Sequence, residues 1–339
     1  MRILVTGGLG YIGSHTIAEL ISQEHSVFVV DDMSNSSPDV LNRLKRLTSR
    51  EIAFEKCDIC DFSLLSKIFK SFMPDVVIHF AAYKSGSESV LRSLDYYQNN
   101  VAGTIVLLKV MDLYNCKKLI FSSSATVYGN ESQPPFCESS PTKPENPYGN
   151  TKLVVETLLR DWTASDKSRT SIALRYFNPI GAHPSGLIGE MPNGIPDNLM
   201  PYLCNVASGA SKQLTIFGDN FNTRDGTGER DYVHVVDLAQ AHISAMKYSE
   251  VNREFSVFNV GTGRGTTVIE LIQAFEKVTG VKVNFTIAGR RVGDVDCSLA
   301  SVEKIRMAMN WESSKTIHDM CLDSWNWQLN STEGHIGGK

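Results

Sequence analysis

The chain has 339 residues, 42% of them hydrophobic and 21% charged, with a formal net charge of -4. This is the composition of a globular protein with room for two lobes, and it carries no basic excess that would suit nucleic acid or an anionic membrane. No apolar run reaches the ~20 residues of a membrane helix; the start MRILVTGG lacks signal-peptide form and seven scattered cysteines do not suggest a disulfide framework, so a cytoplasmic setting is expected.

In chain order, RILVTG (2–7) reads as a buried strand, and a helical pattern covers about 11–22. SVFVVDD (26–32) is a second strand, IAFEKCDI a third, and FSLLSKIFKSF a helix. PDVVIHFAA gives a fourth strand, a single long helix is expected over about 94–114, and KKLIFSSS and TSIALRYFN complete the series. Strands apolar on both faces and separated by helices predict an α/β fold, a doubly wound parallel sheet of Rossmann-like form. From about Pro179 the texture becomes rich in glycine and proline, as expected of a smaller lobe built from loops. The division expected is 1–176 for a dinucleotide-binding domain and 177–330 for a substrate lobe, with 231–261 returning to the sheet and 331–339 a disordered tail.

GGLGYIG follows the first strand directly and opens a helix. Gly8, Gly10 and Gly13 satisfy G-x-G-x-x-G, and Gly7, Gly10 and Gly13 satisfy G-x-x-G-x-x-G. Glycine there permits a tight turn and lets backbone N–H groups approach a pyrophosphate at the helix N-terminus. Asp31 ends the next strand, where a carboxylate accepts bonds from the adenosine ribose and repels a 2′-phosphate, which selects NAD. Asp58 lies on the same edge and suits adenine recognition; as a helix N-cap it competes with Asp61. Cys57 and Cys60 form a C-x-x-C without a second pair at zinc spacing, so no metal is expected. His79 reads as a packed core histidine.

In ENPYGNTKLVVE, Pro147 starts a helix well, and Tyr148 and Lys152 lie one turn apart on one face. Together with TGGLGYIGSHT, HFAAYKSGSESV, FSSSATVYG, LRYFNPIGAHPSG and DGTGERDYVHVVDLA, this stretch resembles the extended short-chain dehydrogenases/reductases, and within them the UDP-hexose 4-epimerases. The resemblance runs from Met1 to about Gln328. It implies Tyr148 as catalytic base, Lys152 as its helper and Ser124 as partner of the sugar O4. It implies a cofactor site of Gly7, Gly10, Tyr11, Ile12, Gly13, Asp31, Asn35, Asp58, Ile59, Phe80, Ala81, Lys84 and Asn99, with Ser124, Tyr148, Lys152 and Phe177 at the nicotinamide end. A free tyrosine has a pKa of ~10, so use near neutrality needs a shift of ~3 units, ~4 kcal/mol. A single positive charge ~6 Å away at an effective dielectric of ~20 supplies ~2.8 kcal/mol. Lys152 falls short alone, and the positive ring of NAD⁺ is the second source expected.

The same resemblance implies a UDP-sugar site of Lys84, Ser124, Tyr148, Asn178, Asn198, Leu199, Thr215, Phe217, Arg230, Arg291, Asp294 and Ser298. Narrow-specificity bacterial members carry tyrosine at the position of Ser298, so the smaller residue implies room for an N-acetyl group and acceptance of UDP-GlcNAc and UDP-GalNAc beside UDP-glucose and UDP-galactose. The implied partner state is a homodimer. Two alternatives stand beside the epimerase: a nucleotide-sugar reductase or dehydratase, and a non-catalytic NAD-sensing regulator. Dehydratases that resemble the family place acids where this chain has Ala125 and Thr126, and silent members often lose the Tyr–Lys pair, which is intact here.

Overall fold

The computed structural model describes residues 1–191, 196, 198–291 and 294–336. The first half alternates strand and helix: β1 (Arg2–Thr6), α1 (Tyr11–Ser22), β2 (Ser26–Asp31), α2 (Asp39–Thr48), β3 (Ala53–Lys56), α3 (Phe62–Phe72) and β4 (Val76–His79). Then come α4 (Gly86–Leu91), α5 (Ser93–Tyr96), α6 (Gly103–Leu113), β5 (Lys118–Ser124), α7 (Pro147–Ala164) and β6 (Thr170–Tyr176). The second half carries β7 (Asn178–Ile180), α8 (Leu199–Ala207), β8 (Leu214–Phe217), β9 (Glu229–His234), α9 (Val235–Val251) and β10 (Phe255–Val260). It ends with β11 (Gly265–Thr267), α10 (Val268–Thr279), β12 (Phe285–Ala288), β13 (Cys297–Ser298), α11 (Glu303–Met309) and α12 (Ile317–Ile336).

Seven parallel strands lie in the order β10-β6-β5-β4-β1-β2-β3. Alternation along each strand explains why helices cover both faces. Ile3, Val5, Val29 and Ile78 point into one core with Ile17 of α1 and Leu238 of α9. Leu4, Val30, Val77 and Phe121 point into the other, with Phe69 of α3, Leu107 of α6 and Val155 of α7. The central strands β1, β4, β5 and β6 are dehydrated on both sides, which favours β-branched and aliphatic residues over an alternating polar pattern, whereas the edge strand β3 is largely exposed. The strand order reverses between β1 and β4, and the crevice at their carboxyl ends is where ligands bind in such sheets.

Three expectations need correction. The helix expected as one piece over 94–114 is interrupted: α5 leads into a π-helical turn, Tyr97–Ala102, and only then α6. The wider turn brings Asn100 inward, where it is buried and bonds the backbone of Tyr83 in both directions (2.8 and 3.1 Å) and Thr151 Oγ1 (3.0 Å). Within 231–261, β10 joins the sheet but β9 does not; it pairs with β7, β11 and β13 in a second sheet. Finally, α12 continues to Ile336, into the segment expected as a disordered tail, while 337–339 lie outside the described residues. Among the described residues no helix is long and apolar enough to cross a membrane.

Candidate active site

The loop after β1 is built for close approach. Gly7 has φ +66° and its N–H donates to Val30 O at 2.7 Å. A Cβ on Gly7 would stand 2.6 Å from Ala81 N, and one on Gly13 would stand 2.5 Å from Gly7 O. Gly10 precedes α1 with no side-chain cap, so the first N–H groups of the helix, Tyr11, Ile12 and Gly13 among them, have no intrahelical acceptor. That is the donor set a pyrophosphate needs, and these residues fit a dinucleotide.

Asp31 ends β2 nearly buried. Its Oδ2 accepts from Leu9 N (3.0 Å) and its Oδ1 from Met33 N (2.9 Å) and Ser36 Oγ (2.8 Å). Burial raises its pKa and those three bonds pull it back. With about four acceptor directions on a carboxylate, capacity is left for ribose hydroxyls. Asp61 is the N-cap of α3, accepting from Leu64 N at 2.9 Å; Asp58 accepts from Cys60 N (2.8 Å) and, among the described residues, keeps acceptor capacity for a ligand. Ile59 is buried beside Gly103, and Asn35 is exposed in the loop after β2. The C-x-x-C cysteines are unpaired, and burial pushes the Cys57 thiol up to about 12. Among the described residues no cluster of three His, Cys, Asp or Glu could hold a metal ion.

At the other end of the crevice, Asn146 caps α7 through Gly149 N (2.9 Å) and Pro147 opens it, which fixes where Tyr148 and Lys152 point. Lys152 is buried and donates to Ser122 O at 2.6 Å, 4.9 Å from the Phe121 ring centre and 5.8 Å from that of Tyr148. Burial draws its pKa down to about 7, opposed by Glu156. Ser124 ends β5 beside Tyr148 and accepts from Thr126 Oγ1 at 2.9 Å. Burial raises the Tyr148 pKa, and Ser124, the opposing influence, does not overcome it. The protein alone therefore keeps the phenol protonated, and Lys152 does not achieve the lowering the sequence suggested: taking two charges out of water costs more than one turn of helix returns.

His79 is indeed a core residue. Thr104 Oγ1 gives its proton to Asn100 O (2.6 Å), so His79 Nε2 donates to Thr104 (2.9 Å) and Nδ1 accepts from Thr6 Oγ1 (2.7 Å). Burial lowers its pKa to about 3, so the ring is neutral. Ala81 N reaches Thr6 Oγ1 at 3.4 Å, and the Phe80 ring lies 4.8 Å from His242. Asn99 bonds Asn100 (3.0 Å). Phe177 is buried and stacked on Phe136 at 6.3 Å, which is a packing role first.

On the substrate side, Thr215 and Phe217 lie on β8, and the Phe217 ring is 38% exposed. The Arg291 guanidinium covers it at 4.8 Å and donates to Asp294 at 3.0 Å. Arg230 on β9 is held by Glu229 O (2.8 Å) and Val295 O (3.0 Å), and Ser298 stands opposite it in the β13 register. Asn178 opens β7, exposed; Leu199 opens α8. Sequence reasoning missed Glu190. Its nearly buried carboxylate accepts from both Lys84 (3.2 Å) and Asn198 (2.6 Å), which ties two expected contact residues together. Nothing local marks it, because it sits in the unpatterned glycine- and proline-rich stretch and its partner Lys84 lies in the other half.

Comparison with known proteins agrees with this geometry. The NAD dependent epimerase/dehydratase family matches residues 3–261. UDP-glucose 4-epimerase 2 of Arabidopsis thaliana is 49% identical over 337 residues, 98% of this chain and 96% of the relative. The UDP-glucose 4-epimerase of Stenotrophomonas maltophila, solved with bound NAD and formylated UDP-arabinopyranose, superposes with a TM-score of 0.97 at 45% identity, covering 98% of this chain and 99% of that one. The UDP-Glc/GlcNAc 4-epimerase of Campylobacter jejuni superposes with a TM-score of 0.85 at 35% identity, covering 96% or more of both chains (97% and 99%). The chain therefore belongs to the NAD dependent epimerase/dehydratase family, among the UDP-glucose 4-epimerases.

Proposed function

We propose that the protein inverts C4 of UDP-glucose and UDP-galactose, and that it also accepts UDP-N-acetylglucosamine and UDP-N-acetylgalactosamine. The observation that carries the reading is the placement of Tyr148 and Lys152 of α7 beside Ser124, at the carboxyl end of β5, on the sheet edge that also carries the Gly7–Gly13 loop after β1. Ser124 ends β5 beside Tyr148, so both can reach one sugar oxygen: Ser124 holds O4 and Tyr148 takes its proton. Lys152 supplies positive charge to the phenolate. The Gly7–Gly13 loop and Asp31 would hold NAD⁺, which would supply a reversible hydride acceptor for C4, with no net consumption of coenzyme. The 4-keto sugar turns, presents its other face, and Tyr148 returns the proton. Arg230 and Arg291 anchor the diphosphate, Thr215 and Phe217 flank the uracil, and Asn178, Asn198, Leu199, Lys84 and Asp294 complete the grip, which leaves the sugar free to rotate. We read 1–176 as the cofactor half and 177–330 as the UDP-sugar half. Thr126 spends its hydroxyl on Ser124 and no carboxylate stands there, which supports epimerisation over elimination. The test is spectroscopic: UDP-galactose added to purified protein, without coenzyme, should raise the absorbance of bound NADH. A requirement for added coenzyme with its net consumption would contradict the reading.

Acceptance of N-acetyl sugars rests on Ser298, partly buried beside Arg230. A tyrosine there would overpack the pocket at ~1–3 kcal/mol. Wild type should turn over both sugar pairs, and Ser298→Tyr should lose about tenfold or more on the N-acetyl pair alone. A wild type inert towards UDP-N-acetylglucosamine would end the idea.

The same proposal includes a homodimer in the cytoplasm. Leu91 (87% exposed) and Leu94 (82% exposed) make an apolar ridge on α4–α5 that a second copy would cover. Leu94→Asp should halve the mass found by sedimentation, and a monomeric wild type would refute the dimer. All seven cysteines are unpaired, in keeping with a reducing compartment; recovery of the protein from a secreted fraction would contradict that placement.

A further inference from the structure

Three consecutive serines at the end of β5 hold three groups one turn apart on α7. Ser124 meets Tyr148, the carbonyl of Ser122 accepts Lys152 at 2.6 Å, and Ser123 Oγ donates to Glu156 Oε1 at 2.5 Å. Glu156 is fully buried and closes a two-pronged pair with Arg175 of β6, Nε to Oε1 at 2.9 Å and Nη2 to Oε2 at 2.7 Å. Arg175 is itself fixed, stacked 4.9 Å over the Tyr128 ring with Nη1 donating to Glu138 O at 3.4 Å. Ser123 and Arg175 are paired in the β5–β6 register. A buried ion pair is a costly way to join a helix to a sheet, since apolar residues of the same volume do it as well or better. Its placement one turn beyond a buried lysine calls for another purpose.

We propose that Glu156, clamped by Arg175 and Ser123, is a positioning residue that keeps Lys152 charged and aimed at Tyr148, the carboxylate end of the pair facing the lysine and the guanidinium end facing away. The inference rests on the roles given above to Tyr148 and Lys152. The other ionisable groups facing this pair are His79 of β4, Tyr176 of β6 and Tyr96 of α5. None supplies negative charge: His79 is held neutral by burial, and burial raises the pKa of both tyrosines. Glu156 is the group opposing the loss of the Lys152 proton.

Removing the near negative end makes Lys152 easier to deprotonate; removing the far positive end makes it harder. The alkaline limb of kcat, where the lysine loses its proton, should therefore move about one pH unit down in Glu156→Gln and up in Arg175→Gln. KM for UDP-galactose should stay within about twofold, and a Lys152 resonance in isotope-labelled lysine NMR, identified by its loss in Lys152→Met, should titrate in the same two directions. A merely structural pair would weaken both variants alike and move neither limb apart. If Glu156→Gln does not fold, Glu156→Gln/Arg175→Gln buries no lone charge and should still lower the limb relative to wild type. Limbs unmoved, or moved in one common direction, would overturn the proposal while wild-type epimerisation stands; a wild type that does not epimerise would instead overturn the reading beneath it.

Discussion

Tyr148→Phe should lose about 10²–10⁴ in kcat, ~3–5 kcal/mol of barrier, while keeping its cofactor and its UDP-sugar affinity. Burial already places the phenol above its ordinary pKa, so the site pays heavily to form the phenolate and has no second group to replace it. Ser124 lies beside Tyr148, but its hydroxyl is a far weaker base. Lys152 is held in place by donating an N–H to Ser122 O at 2.6 Å, with its Nζ 5.8 Å from the Tyr148 ring centre, which suits it to supply charge to the phenolate. Steady-state assay of UDP-galactose conversion, with cofactor content measured on the same sample, checks the prediction. Turnover within tenfold of wild type would remove Tyr148 from the base role.

Gly7→Ala should cost ~2–5 kcal/mol of stability and empty the cofactor site. Gly7 sits at φ +66°, where a Cβ costs ~1–2 kcal/mol, and that Cβ would meet Ala81 N at 2.6 Å, Ala81 Cα at 2.8 Å and Phe80 C at 2.9 Å. These are backbone atoms at the end of β4 and cannot swing aside as a flexible side chain would, so overpacking adds ~1–3 kcal/mol. Gly280, which ends α10 at φ +72°, has nothing within 4 Å of its added Cβ and isolates the backbone term. Gly7→Ala should therefore melt ~1–4 °C below Gly280→Ala and lose most of its bound NAD on purification. Equal melting temperatures with full cofactor would show that the loop is not under the constraint described.

What the sequence revealed and what it hid divide by range. The phosphate loop and the start of α7 were legible because glycine spacing after a strand and proline at a helix start act within a few residues. The roles of Asp58 and Asp61 could be separated only by seeing which one caps α3. The π-helical turn carries no cue in YQNNVA, because its cause is the buried partners that Asn100 finds on Tyr83 and Thr151. The pairing of β9 with β7 was hidden because its apolar pattern is that of a strand in either sheet. Glu190 with Lys84 and Glu156 with Arg175 join segments distant in the chain, so no local pattern announces them. Spacing placed Lys152 near Tyr148 correctly, but burial decided the direction of both titrations, and burial is a property of the fold.

In this mechanism one hydrogen leaves C4 and returns to the same carbon. Purified protein should be given UDP-galactose deuterated at C4, in ordinary water and without added coenzyme, and the product followed by NMR and mass spectrometry. UDP-glucose that retains the deuterium at C4 is expected, while Tyr148→Phe yields almost none. Product that has exchanged its label for solvent hydrogen, or no product until coenzyme is supplied, would contradict it.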